Sequence, residues 1–183
     1  ITSSGGTVTV TGATVTANDG GGISITGGVF KLVNNFIYRN GKSSSAVGGV
    51  NLNGTPAGSV FEFNTVVDND ATSGITHPGG VLCDLPAFAI GNNIIAKNRS
   101  NTDPNGATSQ LSGQCTTPGS RIQADFTGLN FKSPVTAPFD YHLMPGSTAI
   151  DAAIAVSPVV TDADGDARPQ GAGKDQGADE FKP

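Results

Sequence analysis

Arg39, Asp68 and Lys97 stand 29 residues apart in succession. A base of Arg or Lys type beside an acid can abstract a proton next to a carboxylate, once that carboxylate's charge is masked. Such chemistry belongs to a polysaccharide lyase. A complete lyase site needs more acids, and only Asp70 and Asp84 stand near in sequence. The competing reading is a charge ladder on one outer face, in which opposite charges on neighbouring strands add roughly 0.2–1 kcal/mol each.

Two other groups of residues have chemical potential. Asp162, Asp164 and Asp166 alternate around Gly165, which brings three carboxylates within reach of one point in a tight loop. Calcium favours oxygen-rich loops of this kind. The loop nevertheless departs from the EF-hand pattern, because its glycine is at the fourth place and Gly173 occupies the twelfth. The alternative is a turn in which Arg168 pairs with Asp162 or Asp175. Cys83 and Cys115 lie in no Cys-x-x-Cys pair and have no histidine cluster nearby, so a zinc site on them is not expected. A disulfide between them would tie the third coil to the polar loop 101–119 and would imply an oxidising compartment. Two buried thiols are the alternative. His77 and His142 have no Ser or Cys partner in sequence and read as a turn residue and a terminal-segment residue.

What positions these residues is a repeat. Asn35, Asn64 and Asn93 are 29 residues apart, and each opens a six-residue phrase closed by Asn40, Asn69 or Asn98. A Gly-Gly-aliphatic lead-in recurs at Gly21-Gly22-Ile23, Gly48-Gly49-Val50 and Gly79-Gly80-Val81. A fixed period of 20–50 residues marks a chain that stacks one unit on itself. Short β-branched runs such as Thr7–Thr11 favour strand, and 26 glycines and 11 prolines disfavour helix. The prediction is an all-β, right-handed parallel β-helix, a solenoid, with coils over 1–100. A loop-rich final coil over 101–138 and an irregular capping segment over 139–183 complete one structural domain. A β-sandwich would not require the strict register. Leu32, Phe61 and Ile90 should stack inward, as should Ile37, Val66 and Ile95. The six asparagines should form structural ladders and supply left-handed φ at the bends. Because Ile1 falls within strand-like sequence, further coils are expected upstream.

Bulk properties narrow the partners. Net charge is −5, the charged fraction is 14% and there is no basic patch, which argues against nucleic acid. No apolar run approaches a membrane span. With no Trp, and only Tyr38 and Tyr141, the chain is poor in the aromatics of a carbohydrate-binding module. Asn53-Gly-Thr55 and Asn98-Arg-Ser100 match the glycosylation pattern and read as chance.

The chain's end carries three phrases: Phe139-Asp-Tyr-His-Leu-Met-Pro-Gly-Ser-Thr-Ala-Ile-Asp151, Thr161-Asp-Ala-Asp-Gly-Asp-Ala-Arg-Pro169 and Asp175-Gln-Gly-Ala-Asp-Glu180. In this order they resemble the end of bacterial right-handed β-helix proteins that carry a choice-of-anchor Q domain. The resemblance implies a secreted or cell-surface protein, and a fold shared with pectate lyases. Asn101-Thr102-Asp103 is similar to a fragment of the first polygalacturonase motif, but the remaining motifs of that family are missing. Read physically, Leu143 and Ile150 should cover the last coil, and Ser147 should cap a short helical turn over Thr148–Ala153. The expected function is a non-catalytic extracellular structural or adhesive protein, stacking end to end with itself or touching surface polysaccharide. The alternative is a polysaccharide lyase. Calcium is the one cofactor suggested.

Overall fold

A computed structural model describes residues 1–42, 45–72, 77–154 and 156–183. The first stretch of chain forms β1 (Thr2–Ser3), β2 (Thr7–Thr11) and β3 (Thr14–Thr16). The second forms β4 (Ile23–Ile25), β5 (Val29–Val33) and β6 (Phe36–Tyr38). The third forms β7 (Val50–Leu52), β8 (Val60–Glu62), β9 (Thr65–Val67) and β10 (Asp70–Ala71). Next come β11 (Val81–Cys83), β12 (Ile94–Ala96) and β13 (Arg99–Ser100), then β14 (Leu111–Gly113) and β15 (Arg121–Gln123). A hairpin of β16 (Phe131–Ser133) and β17 (Asp140–Leu143) follows. The protein is all-β, with no helix among the described residues.

Each stretch contributes its strands to the same sheets. One sheet runs β1-β4-β7-β11-β14, a second β3-β6-β9-β12-β15 and a third β2-β5-β8. Every pairing in them is parallel, as is the short β10–β13 pair, whereas β16 and β17 are antiparallel. Ile37 pairs with Val66 and Val66 with Ile95, so that apolar column is in register. Leu32 pairs with Phe61, and Glu62 bridges to Gly91, which carries the same offset on to Ile90. These side chains form the inner core together with Ile25, Leu52, Val81 and Phe88.

The bends between strands differ from expectation in one respect. The left-handed residue is the one before each ladder asparagine: Asn34, Phe63 and Asn92 at one corner, Arg39, Asp68 and Lys97 at the other, all with φ between 53° and 58°. A left-handed non-glycine residue costs about 1–2 kcal/mol. The asparagine that follows offsets this by hydrogen-bonding backbone groups around the corner and the amide of the next asparagine. Asn69 shows the pattern. Its Nδ2 donates to Ile37 O (3.0 Å), Val67 O (3.1 Å) and Asn98 Oδ1 (3.0 Å), and its Oδ1 accepts from Asn40 N (3.0 Å) and Nδ2 (2.9 Å).

Residues 139–183 touch the last strand-bearing stretch, through Gly119, Arg121 and Gly128, and reach beyond it. They run along the outer face of the second sheet and touch successive stretches of chain. Asn34 Nδ2 donates to Thr161 O (2.7 Å), Ala178 N to Thr65 Oγ1 (2.9 Å) and Gln176 Nε2 to Gly119 O (2.7 Å). Arg121 Nη2 donates to Thr148 O (2.8 Å). Beneath this clasp Phe36, Val67, Ile94 and Ala96 form a second core with Leu129, Tyr141, Leu143 and Ala178. The central strands β9 and β12 are therefore buried on both faces. That is why β9 and β12 are buried at every position and not at alternating ones, with the Thr65 hydroxyl in β9 accepting from Ala178 N. Ser147 closes a turn by accepting from Ile150 N at its carbonyl and from Ala149 N at Oγ, with no helix beyond it.

Candidate functional site

The 29-residue column does assemble. Asp68 Oδ2 is 3.1 Å from Arg39 Nη1, and Asp68 Oδ1 is 3.3 Å from Lys97 Nζ. All three occupy the left-handed corner position, which turns their side chains in one direction. The column is not an open face, however. The Arg39 guanidinium lies 3.9 Å from the Phe139 ring centroid, and the Lys97 ammonium 4.8 Å from that of Phe126. Tyr141 donates its hydroxyl to Asp68 Oδ2 at 3.4 Å, and its side chain is buried. Burial, and next the Asp68 charge, push the Tyr141 hydroxyl above its ordinary pKa. Both cations are thus engaged by one carboxylate and by an aromatic ring, Phe139 of the clasp for Arg39 and Phe126, which precedes the clasp, for Lys97. Asp70 lies close enough to feel Asp68, and burial raises its pKa. Asp84 is exposed and makes no ion pair with the column among the described residues. The arrangement offers a base no substrate-facing acids.

The aspartate loop also differs from expectation. Asp162 is buried and its carboxylate is taken up by the backbone. Oδ1 accepts from Asp164 N (2.9 Å) and Asp166 N (2.8 Å), and Oδ2 accepts from Glu180 N (3.0 Å). Asp166 pairs with Lys182 at 2.6 Å and Asp164 with His142 Nε2 at 3.0 Å. The three carboxylates still reach within 4.8 Å of one another. Arg168 pairs with neither Asp162 nor Asp175. Its partner is Glu180, 2.9 Å away, and both side chains are fully buried. Arg168 also donates to the carbonyls of Asp175 (3.1 Å) and Gly177 (2.8 Å) and stacks on Phe63. Glu180 was illegible in sequence because no charge pattern distinguishes it from its neighbours.

The ladders exceed the six asparagines expected. Asn40 Oδ1 accepts from Asn18 Nδ2 at 2.8 Å, and Gln110 Oε1 accepts from Asn98 N (3.0 Å) and Nδ2 (2.9 Å). Asn35 Nδ2 donates to Asn64 Oδ1 and Asn64 Nδ2 to Asn93 Oδ1, and Asn93 N donates to Ser120 Oγ. Asn18 escapes the 29-residue pattern because its offset to Asn40 is 22. Gln110 and Ser120 escape it because the residue type changes. The Asn98 amide is fully engaged, which removes it as a modification site.

Cys83 and Cys115 are joined by a disulfide, with Cα atoms 5.7 Å apart. His77 lines a cavity of about 390 Å³ with Ser100, Thr102 and Ser109. Asp103 is committed to that loop, accepting from the Thr108 amide and hydroxyl and from Ser109 Oγ (3.2 Å). His142 is the more organised histidine. Its Nδ1 meets Asp140 Oδ1 at 2.5 Å, and it is tilted against Phe36. Burial pulls the His142 pKa down, but Asp140, Asp179 and Asp164 outweigh this and the net shift is upward.

No family model, curated protein or solved structure matches the chain. No helix among the described residues is long and apolar enough to cross a membrane.

Proposed function

We infer that the chain is a right-handed parallel β-helix of the choice-of-anchor Q kind, working outside the cell as a structural or adhesive element. The observation that carries this reading is the fate of the Arg39–Asp68–Lys97 column. The charges that best matched a lyase are tied to one shared carboxylate, which leaves a net positive charge, and are flanked by Phe139, Phe126 and Tyr141. A carbohydrate-active site leaves its base and acids facing a cleft. Here the same residues fasten the clasp to the stacked strands. The right-handed form follows from the strong preference of parallel crossovers.

The extracellular location is supported by the Cys83–Cys115 disulfide, a bond that persists in oxidising compartments. The low charge and the hydroxyl-rich outer face of β2 suit a surface that meets neutral polysaccharide or its own kind. Stacked parallel strands end in open backbone edges, which favour a second copy as partner.

Two measurements test the reading together. Analytical ultracentrifugation and electron microscopy over a wide concentration range should show end-to-end association. Particles that remain monomeric at the highest concentration would remove self-assembly. Incubation with pectate, alginate and glycosaminoglycans in the presence of calcium should yield no unsaturated product. Product that disappears in Lys97→Met would replace the structural reading with the lyase.

A further inference from the structure

We propose that His142, Asp164 and Asp179 form a binding site for a late first-row divalent metal ion, with zinc as the best-suited occupant. The three side chains come from different parts of the clasp: His142 from β17, Asp164 from the aspartate loop and Asp179 from the last turn. Each offers one ligand atom, and these atoms lie within 4.8 Å of one another. His142 Nε2 and Asp164 Oδ2 are 3.0 Å apart. Two ligands on one tetrahedral zinc ion are about 3.3 Å apart when each bond is about 2.0–2.1 Å. The site is therefore near the required spacing before any ion enters.

Its outer shell is also in place. A metal-bound imidazole ordinarily donates its other N–H to a carboxylate, which fixes the tautomer and aims the free nitrogen. Asp140 does this for His142. Asp140 Oδ1 faces Nδ1 and also accepts the His142 amide (3.0 Å), while Lys132 holds Asp140 Oδ2 at 3.0 Å. Nε2 is thereby directed at Asp164. Asp179 is 7% exposed, and one of its oxygens is fixed by Leu143 N at 2.6 Å. A cavity of about 200 Å³ lined by His142, Asp166, Asp179 and Lys182 borders two of the three ligands.

The donor set separates this site from the Asp162–Asp164–Asp166 cluster, which shares Asp164 with it. Calcium takes all-oxygen shells of six to eight ligands, whereas imidazole nitrogen selects zinc, copper, nickel or iron. Asp162 adds little to a calcium shell, since its oxygens already accept three backbone N–H groups. The chemistry thus favours one nitrogen and two carboxylate oxygens, with the remaining position open to water. An ion there would staple the hairpin, the loop and the last turn to one another.

Isothermal titration of the purified chain with Zn²⁺, after chelator treatment, should give one site per chain, and Zn²⁺ should raise the Tm. Ca²⁺ at the same concentration should do neither. Asp140→Asn, which touches no metal, should weaken zinc by about 10–100-fold while leaving the fold intact. Asp164→Asn alters an exposed side chain and so spares folding; loss of a ligand should cost about tenfold or more. Co²⁺ in the same site should give a visible spectrum that changes in Asp140→Asn. Zinc binding undiminished in Asp164→Asn and His142→Ala would overturn the proposal, as would absence of zinc binding or a preference for calcium.

Discussion

The stacked strands and the clasp are held together by opposite means. In the strands, one neutral device is repeated: an asparagine amide that satisfies its own corner and passes a hydrogen bond to the next. In the clasp nothing repeats. Arg168 and Glu180 are buried at one point, Asp162 staples a loop, and Asp175 and Asp179 each serve a single pair of segments. A periodic neutral ladder spreads stability evenly over many copies. A unique charged network concentrates it, so one change there should be felt most.

The largest effect is therefore expected at the buried ion pair. Glu180→Ala leaves the Arg168 guanidinium without its carboxylate and strips acceptors from Asp175 N and Gln170 N. Breaking a buried pair in this way costs about 3–5 kcal/mol. Urea titration followed by tyrosine fluorescence reads it directly. The chain has no Trp, and Tyr38 on β6 stacks with Tyr141 on β17 at 4.8 Å across the junction of the two regions. A loss under about 1 kcal/mol would mean that the clasp is not fastened at this pair.

Next in size is an interior ladder position. Asn69→Ala leaves Asn40 N and the Ile37 and Val67 carbonyls without that partner inside the protein, at about 2–4 kcal/mol in all. Asn18→Ala removes an exposed ladder end and should cost about 1 kcal/mol or less. Equal costs at the two positions would refute the idea that the ladder works by enclosure.

These positions also show how much was readable from the chain. The 29-residue spacing exposed the ladder and its register, because a stacked fold writes the same demand at the same interval. The left-handed corner was misassigned by one residue. Phe63, Arg39 and Lys97 have no intrinsic leaning to positive φ, and the following amide helps to hold it there. The clasp's lateral course was invisible for a different reason. Its contacts are made once each, between residues such as Asn34 and Thr161 that lie 127 positions apart, and no local pattern encodes a single distant contact. The histidine site was missed likewise, since Asp179 and Leu143, its neighbour on β17, are 36 positions apart. The charged column was found, but its roof of Phe126, Phe139 and Tyr141 was not.

Acidity should separate the two regions. Burial raises the Asp175 carboxyl to about 6 from an ordinary 3.8, with Glu180 adding to it and the Asp151 and Phe181 amides and Arg168 opposing it. A carboxyl raised by folding binds its proton more tightly in the folded state. Its contribution is complete below the ordinary value and is lost as pH rises through about 6. The clasp should thus be firmer near about pH 5 than near about pH 7, while the neutral ladders do not respond. Hydrogen exchange, corrected for intrinsic rates, should show slower opening of 139–183 at the lower pH. Asp175→Asn should reduce that difference, leaving the part due to Asp179 and His142, whose pKa values folding also raises, and a matching response in the ladder strands would undo the contrast.

The smallest effect is expected where the two regions meet. Lys97 shares Asp68 with Arg39, and its side chain is 26% exposed, so water already screens much of its charge. Such a pair is worth about 0.2–1 kcal/mol, and Lys97→Met keeps most of the contact with Phe126. The informative quantity is the coupling. One carboxylate serves both cations, so losing the first should strengthen its hold on the second, and Arg39→Met with Lys97→Met should cost more than the sum of the two. A strictly additive pair would show that each cation is held mainly by its aromatic ring. The column would then belong to the clasp alone, and the asymmetry between repeated neutral bonds and unique charged ones would extend to the last residue of each corner.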